Sequence, residues 1–323
     1  MIFVRAIRAT SLASLVFAGA TLAADELAQK LQQFSQSCEV LVDQIPPVIK
    51  KVATDQEAKG SEKNLLDYKK ASVAPFKHEL LYSDYQITGR GKPKHVIIKM
   101  GDMLSQPADA LVDAANNGLY PGTGVSGAVK VAYCRYRRAT DDPKYPLGQP
   151  NQNDWIRLCV APQGNKVEKV PDGGACLNLG VRCLPNSNDV SKSMILLHAV
   201  GPTDEKKLNL VGEACTNTLT AADKFLDLLK TNEKNKPHDS FLPIKNQRPI
   251  ASIALPLLSA GVFLKSMKDQ NKALATIIKE TVNATVEFLT KKAENISTVY
   301  IVVSTSRDRY KATCTEMDKH LTK

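Results

Sequence analysis

Three kinds of polar or flexible residue follow predicted strands within one stretch of the chain. Asp102 comes at the end of one predicted strand and Asn116 at the end of the next, and a loop with Gly122, Gly124 and Gly127 comes soon after. A carboxylate can accept a hydrogen bond from a base amine, and an amide side chain can donate and accept at once. Glycines let the backbone approach a ligand with no Cβ in the way. A helix that starts near Gly127 would point its free N–H groups at an anion, so the stretch predicts a nucleotide site.

The elements that must position these residues are predicted from apolar runs and helical periodicity. Strands that alternate with helices indicate an α/β fold, a three-layer α/β/α sandwich with a mixed, mostly parallel sheet. In such sheets ligands bind beyond the C-terminal ends of the strands, where Asp102, Asn116 and Ser259 all fall. The predicted strands are 82–88, 95–100, 110–114, 194–200, 250–256 and 298–304, and the predicted helices are 127–137, 212–231 and 268–294.

The glycine loop has a second interpretation. Its spacing also satisfies G-x-G-x-x-G, the fingerprint of dinucleotide-binding folds. In those folds the glycines follow the strand directly, whereas residues 116–121 intervene here. The chain after Arg138 is loop-like and offers no strand with a ribose-binding acid at the usual distance, so this alternative is the weaker one.

Several segments, in register along the chain, resemble the macrodomain family. Members of that family bind ADP-ribose, and some branches hydrolyse it from proteins or small molecules. The resemblance covers roughly residue 82 to the C-terminus and implies the macrodomain-like sandwich. The matching segments are Gly101-Asp102-Met103, Asp113-Ala114-Ala115-Asn116, the loop from Gly122 to Gly127, Leu197-His198-Ala199-Val200-Gly201-Pro202, and the run from Ala254 to Phe263.

The resemblance also implies roles for individual residues. Asp102 would contact adenine, and the backbone N–H of Met103 would bind the base. Asn116 would grip the distal ribose and position the scissile bond, which makes it the candidate catalytic residue. Two loops would hold the diphosphate through backbone N–H groups, and Phe263 would pack on the distal ribose. The loop residues are Gly122, Thr123, Gly124, Val125, Ser126 and Gly127 in the first loop, and Ser259, Ala260, Gly261, Val262 and Phe263 in the second.

One departure from the family pattern bears directly on catalysis. A hydrolytic branch of the family carries an aspartate where this chain has Ser126. A serine hydroxyl is not a base at neutral pH. Three hypotheses therefore stay open: a metal-independent hydrolase that removes ADP-ribose from esters on proteins or small molecules, which we favour; a non-catalytic module that binds ADP-ribose or a nucleotide; and a drifted macrodomain that acts as an interaction protein. None of them requires a cofactor.

The N-terminus predicts export. Arg5 and Arg8 precede an apolar run and then small residues, as in a cleaved signal peptide, so we expect a secreted or periplasmic protein. No later segment has the length and composition of a membrane span. The predicted organisation is a signal peptide at 1–23, a helical N-terminal extension at 24–81, and a macrodomain-like domain at 82–323 with a cysteine-rich insertion at about 138–193.

Charge and the positions of cysteine and histidine limit which ligands, crosslinks and catalytic groups are expected. The formal charge is +10, but the lysines are dispersed in short pairs and the chain has 1 tryptophan, which disfavours nucleic acid as a partner. The 7 cysteines include no C-x-x-C, and the 5 histidines lack ligand spacing, so no metal site is expected. At least one disulfide is expected in the insertion, with Cys176–Cys183 and Cys134–Cys159 as candidates. A catalytic cysteine is disfavoured because no histidine stands near a cysteine in these motifs, and His198 is expected to be structural.

Overall fold

A nine-stranded sheet organises the computed structural model of the chain. The model describes residues 47–57, 81–88, 92–119, 122, 124–129, 159–167, 169–183, 194–233, 247–303 and 306–322. The strands are β1 (Val48–Glu57), β2 (Leu81–Thr88), β3 (Lys94–Met100), β4 (Ala110–Ala115), β5 (Cys159–Val160), β6 (Ala175–Cys183), β7 (Met194–Val200), β8 (Ser252–Pro256) and β9 (Thr298–Val303).

Helices follow most of the central strands. They are α1 (Leu210–Asp223), α2 (Phe225–Glu233), α3 (Gln270–Lys291) and α4 (Arg307–Asp318). A further helical segment begins at Val125 and is described as far as Val129. Short 3-10 turns lie at Met103–Ser105, Glu205–Lys207 and Phe263–Ser266. None of the helices in the described ranges is long and apolar enough to cross a membrane.

The strand order is β1-β2-β3-β9-β8-β4-β7-β6-β5. The central strands β3, β9, β8, β4 and β7 are parallel to one another. The two strands at either edge are antiparallel to their neighbours. The predicted α/β architecture with a mixed sheet is therefore confirmed, and its parallel part is the centre.

Alternate residues of the central strands enter two separate cores. Val112 and Leu197 face the larger core, against which α1, α3 and α4 pack. Leu111 and Leu196 point to the opposite face and pack with Val129 of the segment at 125–129. Residues on both faces are buried, which explains why these strands read as continuous apolar runs. The sheet thus lies between two layers, as the sandwich requires.

Most of the predicted central elements are found close to their expected positions. The strand at 194–200 matches β7, and the helix at 268–294 matches α3 to within three residues at either end. The predicted helix at 212–231 is broken at Lys224 into α1 and α2. The sequence patterns did not predict β1, β5, β6 or α4.

The organisation differs from the prediction at two places. Residues 48–57 lie within the predicted helical extension, yet they form β1 and pair with β2. The main compact unit accordingly begins at Pro47 and not at residue 82. The described part of the cysteine-rich insertion forms β5 and β6, which continue the sheet beyond β7. The predicted signal peptide and the helical segment before Pro47 lie outside the described residues.

The candidate disulfide Cys176–Cys183 does not fit this strand. Both residues belong to β6, and they pair with His198 and Met194 of β7. Their partners His198 and Met194 are four residues apart along β7, a span of about 13 Å, whereas the Cα atoms of a disulfide lie about 4.4–6.8 Å apart. The alternative partner of Cys159, Cys134, lies outside the described residues.

A buried carboxylate joins α1 to the connection between α3 and β9. Asp223, at the last residue of α1, accepts hydrogen bonds from the backbone N–H groups of Asn295 and Ile296 at 2.8 Å and of Glu294 at 3.1 Å. Lys94 completes this region, since its Nζ donates to the carbonyls of Leu289 and Ala293 at the C-terminal end of α3, both at 2.7 Å. Both side chains satisfy backbone groups that helix ends and turns leave without partners.

We expect Asp223→Asn to lower the free energy of unfolding by about 2 kcal/mol, because the new amide group would face N–H donors. Urea denaturation followed by circular dichroism measures this. Asp227→Asn is the matched control: its side chain is 81% exposed on α2, and we expect a change of about 0.5 kcal/mol or less. Equal effects of the two variants would contradict the role given to Asp223.

Candidate functional site

A cavity of about 480 Å³ opens at the C-terminal edge of the parallel strands. Each wall comes from the segment that follows one of these strands, because parallel strands end at the same edge of a sheet. Beyond β4 comes Asn116, beyond β7 comes Gly201, and beyond β8 comes the second predicted loop. The described lining residues are Ala114, Ala115, Asn116, Gly122, Gly124, Val125, Ser126, Gly201, Pro256, Leu257, Ser259, Ala260, Gly261, Val262, Phe263, Lys265 and Arg309.

Asn116 and the glycine loop form the first wall. Asn116 Oδ1 accepts a hydrogen bond from Gly118 N–H at 3.1 Å, which turns the chain directly after β4. The buried Ser126 side chain holds the loop closed, because its Oγ accepts from Gly122 N–H at 3.2 Å. Gly124 has φ +67°, and a Cβ at Gly127 would approach the carbonyl oxygen of Gly122 to 3.0 Å.

The first helical residues of this wall lie beside the cavity. The segment that begins at Val125 contributes Val125 and Ser126 to the lining. Because the first N–H groups of a helix have no acceptor within it, they are available to a ligand at this end. A Cβ at Gly122 would meet no atom within 4 Å. The glycine loop therefore presents mainly backbone to whatever occupies the cavity, and Asn116 adds one amide side chain to this wall.

The second wall depends on a close approach of two backbones. Ser259 has φ +63°, an uncommon conformation for a residue other than glycine. Its Oγ donates to the carbonyl oxygen of Pro202 at 2.7 Å, which ties this loop to the end of β7. A Cβ at Gly201 would collide with Ser259 Oγ and come within 3.2 Å of Leu258 Cβ. The side chain of Ser259 is thus committed to the loop, which leaves its backbone for a ligand.

Two cations and no carboxylate occur among the described lining residues. Lys265 extends from the 3-10 turn of the second loop, and Arg309 lies in the first turn of α4. Arg309 Nη1 donates to the carbonyl oxygen of Ala260 at 3.0 Å. A guanidinium has five N–H donors, so this bond leaves others for a ligand. The electrostatics of the described lining therefore favour an anion.

Neither Lys265 nor Arg309 stands in a sequence motif that predicts a ligand contact. For each, however, the sequence contains a feature that could have indicated its position near the site. Lys265 follows Phe263 by two residues within the second loop. For Arg309 the signal is the helix that carries it. Ser306 caps this helix through its Oγ, which accepts from Arg309 N–H. The buried positions of α4 then follow a helical spacing: Tyr310, Thr313, Cys314 and Met317.

Ten of the predicted ligand-binding residues line the cavity, and Asp102, Met103 and Gly127 are not among its described lining residues. Asp102 Oδ1 accepts from Leu104 N–H at 3.2 Å and so caps the 3-10 turn that follows β3. The Met103 side chain is buried in the smaller core. Gly127 supports the loop from behind, through its close approach to Gly122. Thr123 lies outside the described residues.

Behind Asn116 a row of polar residues crosses the sheet. Asp113 of β4 pairs in register with His198 of β7, which pairs with Cys176 of β6. His198 Nδ1 and Asp113 Oδ2 are 2.9 Å apart, and both residues are buried. A histidine therefore does stand opposite a cysteine. None of the three lines the cavity, so they agree with the structural role expected for His198.

Comparisons with known proteins give distant likenesses. No family model matches the chain. It is 26% identical over 190 residues to an uncharacterized protein of Pyrobaculum aerophilum. The aligned residues cover 58% of this chain and 77% of that protein. Among solved structures, it is similar to the Oceanobacillus iheyensis macrodomain with ADP, with 16% identity, TM-score 0.43, and coverage of 75% of this chain and 97% of that one.

A second solved structure of the same kind is the Trypanosoma brucei macrodomain in complex with ADP-ribose. Its identity is 17% and its TM-score 0.39, with 68% of each chain covered. At these values the ligands of the two proteins do not transfer by homology. Within the described ranges no group of His, Cys, Asp and Glu is arranged to hold a metal ion.

We expect Gly201→Ala to destabilise the protein by about 1–3 kcal/mol, because the added methyl group overlaps Ser259 Oγ. Adding Ser259→Ala removes that atom, so the double variant should lose less than the sum of the single changes. Gly261→Ala is the control with open space around it and should leave the urea midpoint unchanged. Strict additivity of the first two changes would contradict the close approach.

Proposed function

We propose that the cavity binds ADP-ribose. The observation that supports this most directly is the composition of the described lining: two backbone-presenting loops, one amide side chain, two cations and no carboxylate. A diphosphate carries two negative charges, and hydrogen bonds to charged groups are about twice as strong as neutral ones. The Asn116 amide can donate and accept at once, which suits the vicinal hydroxyls of a ribose.

The proposed ligand runs along the C-terminal edge of the sheet. The diphosphate lies between the first loop at Gly122–Ser126 and the second loop at Ser259–Val262, with Arg309 and Lys265 neutralising its charge. The distal ribose lies at Asn116, with Phe263 packing on it. The adenine extends beyond the described lining of the cavity towards the end of β3, where we propose that the Asp102 carboxylate and the Met103 backbone N–H contact it.

We further propose that the same cavity hydrolyses ADP-ribosyl esters. In the ester, C1″ of the distal ribose is bonded to a carboxylate oxygen of the modified side chain. Water attacks C1″, the bond from C1″ to that oxygen breaks, the carboxylate leaves with the electron pair, and the proton that the attacking water loses passes to solvent. Carboxylic acids have pKa values near about 4, so this leaving group needs no proton. A lining without a described carboxylate or histidine can therefore still serve this reaction.

The proposed roles in hydrolysis follow from what the wall offers. Asn116 orients the distal ribose, and backbone groups and a ligand phosphate oxygen hold the water. Ser126 Oγ is engaged with the loop and has no basic character at neutral pH. An arginine-linked substrate would be a poor one, because a guanidine is far more basic than a carboxylate and is therefore a poorer leaving group. The substrate class is therefore ADP-ribose on acidic side chains or small esters.

The proposed location is an exported compartment, either periplasmic or extracellular. Its support is the charged, apolar and small-residue sequence at positions 1–23. The ADP-ribosylated partners would then be proteins or small molecules met in that compartment.

Calorimetric titration of the full chain with ADP-ribose tests the binding proposal. We expect saturable 1:1 binding, and we expect Asn116→Ala to weaken it about tenfold or more, since the ribose hydrogen bonds are worth at least about 1.4 kcal/mol. No binding by the wild-type protein would contradict the proposal and favour the interaction-protein hypothesis.

Paired charge variants test the electrostatic part within the same titration. Arg309→Gln should weaken ADP-ribose binding about tenfold because it removes a cation from the cavity wall. Arg307→Gln removes the same charge from an exposed position of the same helix and should leave the affinity unchanged. An equal loss in both variants would indicate a general effect of net charge and not a contact.

Release of ADP-ribose from two modified proteins tests hydrolysis. We expect the wild-type protein to act on a substrate modified at glutamate or aspartate, and not on one modified at arginine. Asn116→Ala should lower the rate about tenfold or more. If the wild type releases nothing and Ser126→Asp releases ADP-ribose, the natural protein is a binding module that lacks only the acid.

A further inference from the structure

Two cysteines of the β5–β6 hairpin lie on the same face of the sheet. Cys159 of β5 pairs in register with Asn178 of β6, and Cys176 stands two residues from Asn178 along that strand. Since strand side chains alternate between faces, Cys176 and Asn178 share the face of Cys159. The Cys176 side chain is close enough to the Cys159 thiol to contribute to the raised pKa of that thiol. Diagonal neighbours across a strand pair have Cα atoms about 7–8 Å apart, so an S–S bond of about 2 Å requires side-chain rotation and an approach of the two strands by about 1 Å.

The surroundings of this pair are apolar and closed. Cys159 is 1% exposed and Cys176 is fully buried. Their nearest apolar partners are residues on β4, β7 and the connecting turns: Ala115, Leu119, Val170 and Val200. Burial, with the Cys176 hydrogen bond as a smaller contribution, raises the pKa of the Cys159 thiol. In the folded protein the thiol therefore lacks thiolate character, and a bond between the sulfurs would be shielded from reductants.

The other two buried cysteines whose side chains are described have different neighbours. Cys215 donates to Thr281 Oγ1 at 4.0 Å, and Cys314 contacts the hydroxyls of Ser83, Tyr85 and Tyr310. Neither has a described cysteine in contact. Burial alone thus does not distinguish Cys159 and Cys176; their mutual contact does.

We propose that Cys159 and Cys176 form a disulfide in the mature protein. Each thiol gives up one proton and one electron, the S–S bond forms, and a disulfide oxidant such as oxidised glutathione takes up both electrons and both protons to become two thiols. This pairing replaces both candidates suggested by cysteine spacing. It is independent of the ligand in the cavity.

The crosslink would close residues 159–176 into a loop that holds the turn after Asn116. Val170 lies inside this loop: its N–H donates to the Asn117 carbonyl at 3.0 Å, and its carbonyl accepts from Asn117 Nδ2 at 3.1 Å. Asn117 Nδ2 also donates to Asp172 Oδ1 at 3.0 Å. The disulfide would therefore brace the segment that places Asn116 at the cavity.

Refolding tests the pairing directly. The full chain is refolded in oxidised and reduced glutathione, and separately in dithiothreitol, then unfolded, alkylated and digested without reduction. We expect a peptide pair that contains Cys159 and Cys176, is 2 Da lighter than the two thiols, and disappears on reduction. Alkylation of both residues in the glutathione sample, or linkage of either to a different cysteine, would overturn the proposal.

A thermal series separates the crosslink from a packing effect. Cys159→Ala, Cys176→Ala and the double variant should lower Tm by the same amount in the glutathione sample, because each removes the same bond. The Tm of wild-type protein refolded in dithiothreitol should fall most of the way to the Tm of these variants. Cys215→Ala should change Tm by the same amount under both conditions. Additive losses in the double variant, with no dependence on the redox buffer, would contradict the disulfide.

Discussion

The parallel pairing of the five central strands is the constraint on which the candidate site depends. Because these strands run in the same direction, the C-terminal ends of β4, β7, β8 and β9 lie at a single edge of the sheet. The segments that leave these ends come from sequence positions nearly two hundred residues apart, from Asn116 to Arg309. Both faces of the sheet are buried, so a shift of register by one residue would exchange the two cores and move every wall of the cavity. The apolar pattern that fills the two cores thus also fixes the site.

The two loops of the cavity present mainly backbone to a ligand, because the side chains of Ser126 and Ser259 hold the loops in place. The Ser126 hydroxyl binds a backbone group within its own loop. The Ser259 hydroxyl binds the backbone of the segment after β7, where Gly201 leaves room for it. Such walls offer N–H donors in fixed positions and supply little chemistry of their own. The positive charge of the lining comes from the side chains of Arg309 and Lys265. A site of this kind is suited to holding an anion, and any reaction must draw on the ligand and on water.

Support for Asn116 comes from behind the cavity. The buried pair of Asp113 and His198 lies across β4 and β7, and the next residue in register is Cys176 on β6. The β5–β6 hairpin also contacts the turn after Asn116, because the Val170 carbonyl accepts a hydrogen bond from Asn117 Nδ2. A polar row inside an apolar sheet costs free energy unless its members are paired, so it also favours one register over its neighbours. The cysteine pair extends this support to the edge of the sheet.

Central strands and long helices could be predicted from the sequence because their apolar residues repeat with a clear period. The order of Asp113–Asn116, the glycine loop and the segment around Ser259 also indicated an anion site at the strand ends. Edge strands β1 and β5 and helix α4 could not be predicted so readily, since short or polar elements are stabilised by neighbours distant in sequence. For the same reason Lys265 and Arg309 did not stand out.

The sequence by itself determined the apolar periodicity, and therefore which strands are buried on both faces and which residues end them. Only the tertiary structure decided that Arg309 reaches Ala260 and that Cys159 lies beside Cys176. Each of these depends on contacts between segments that folding brings together, and residue spacing along the chain carries no information about the distance between such segments in space.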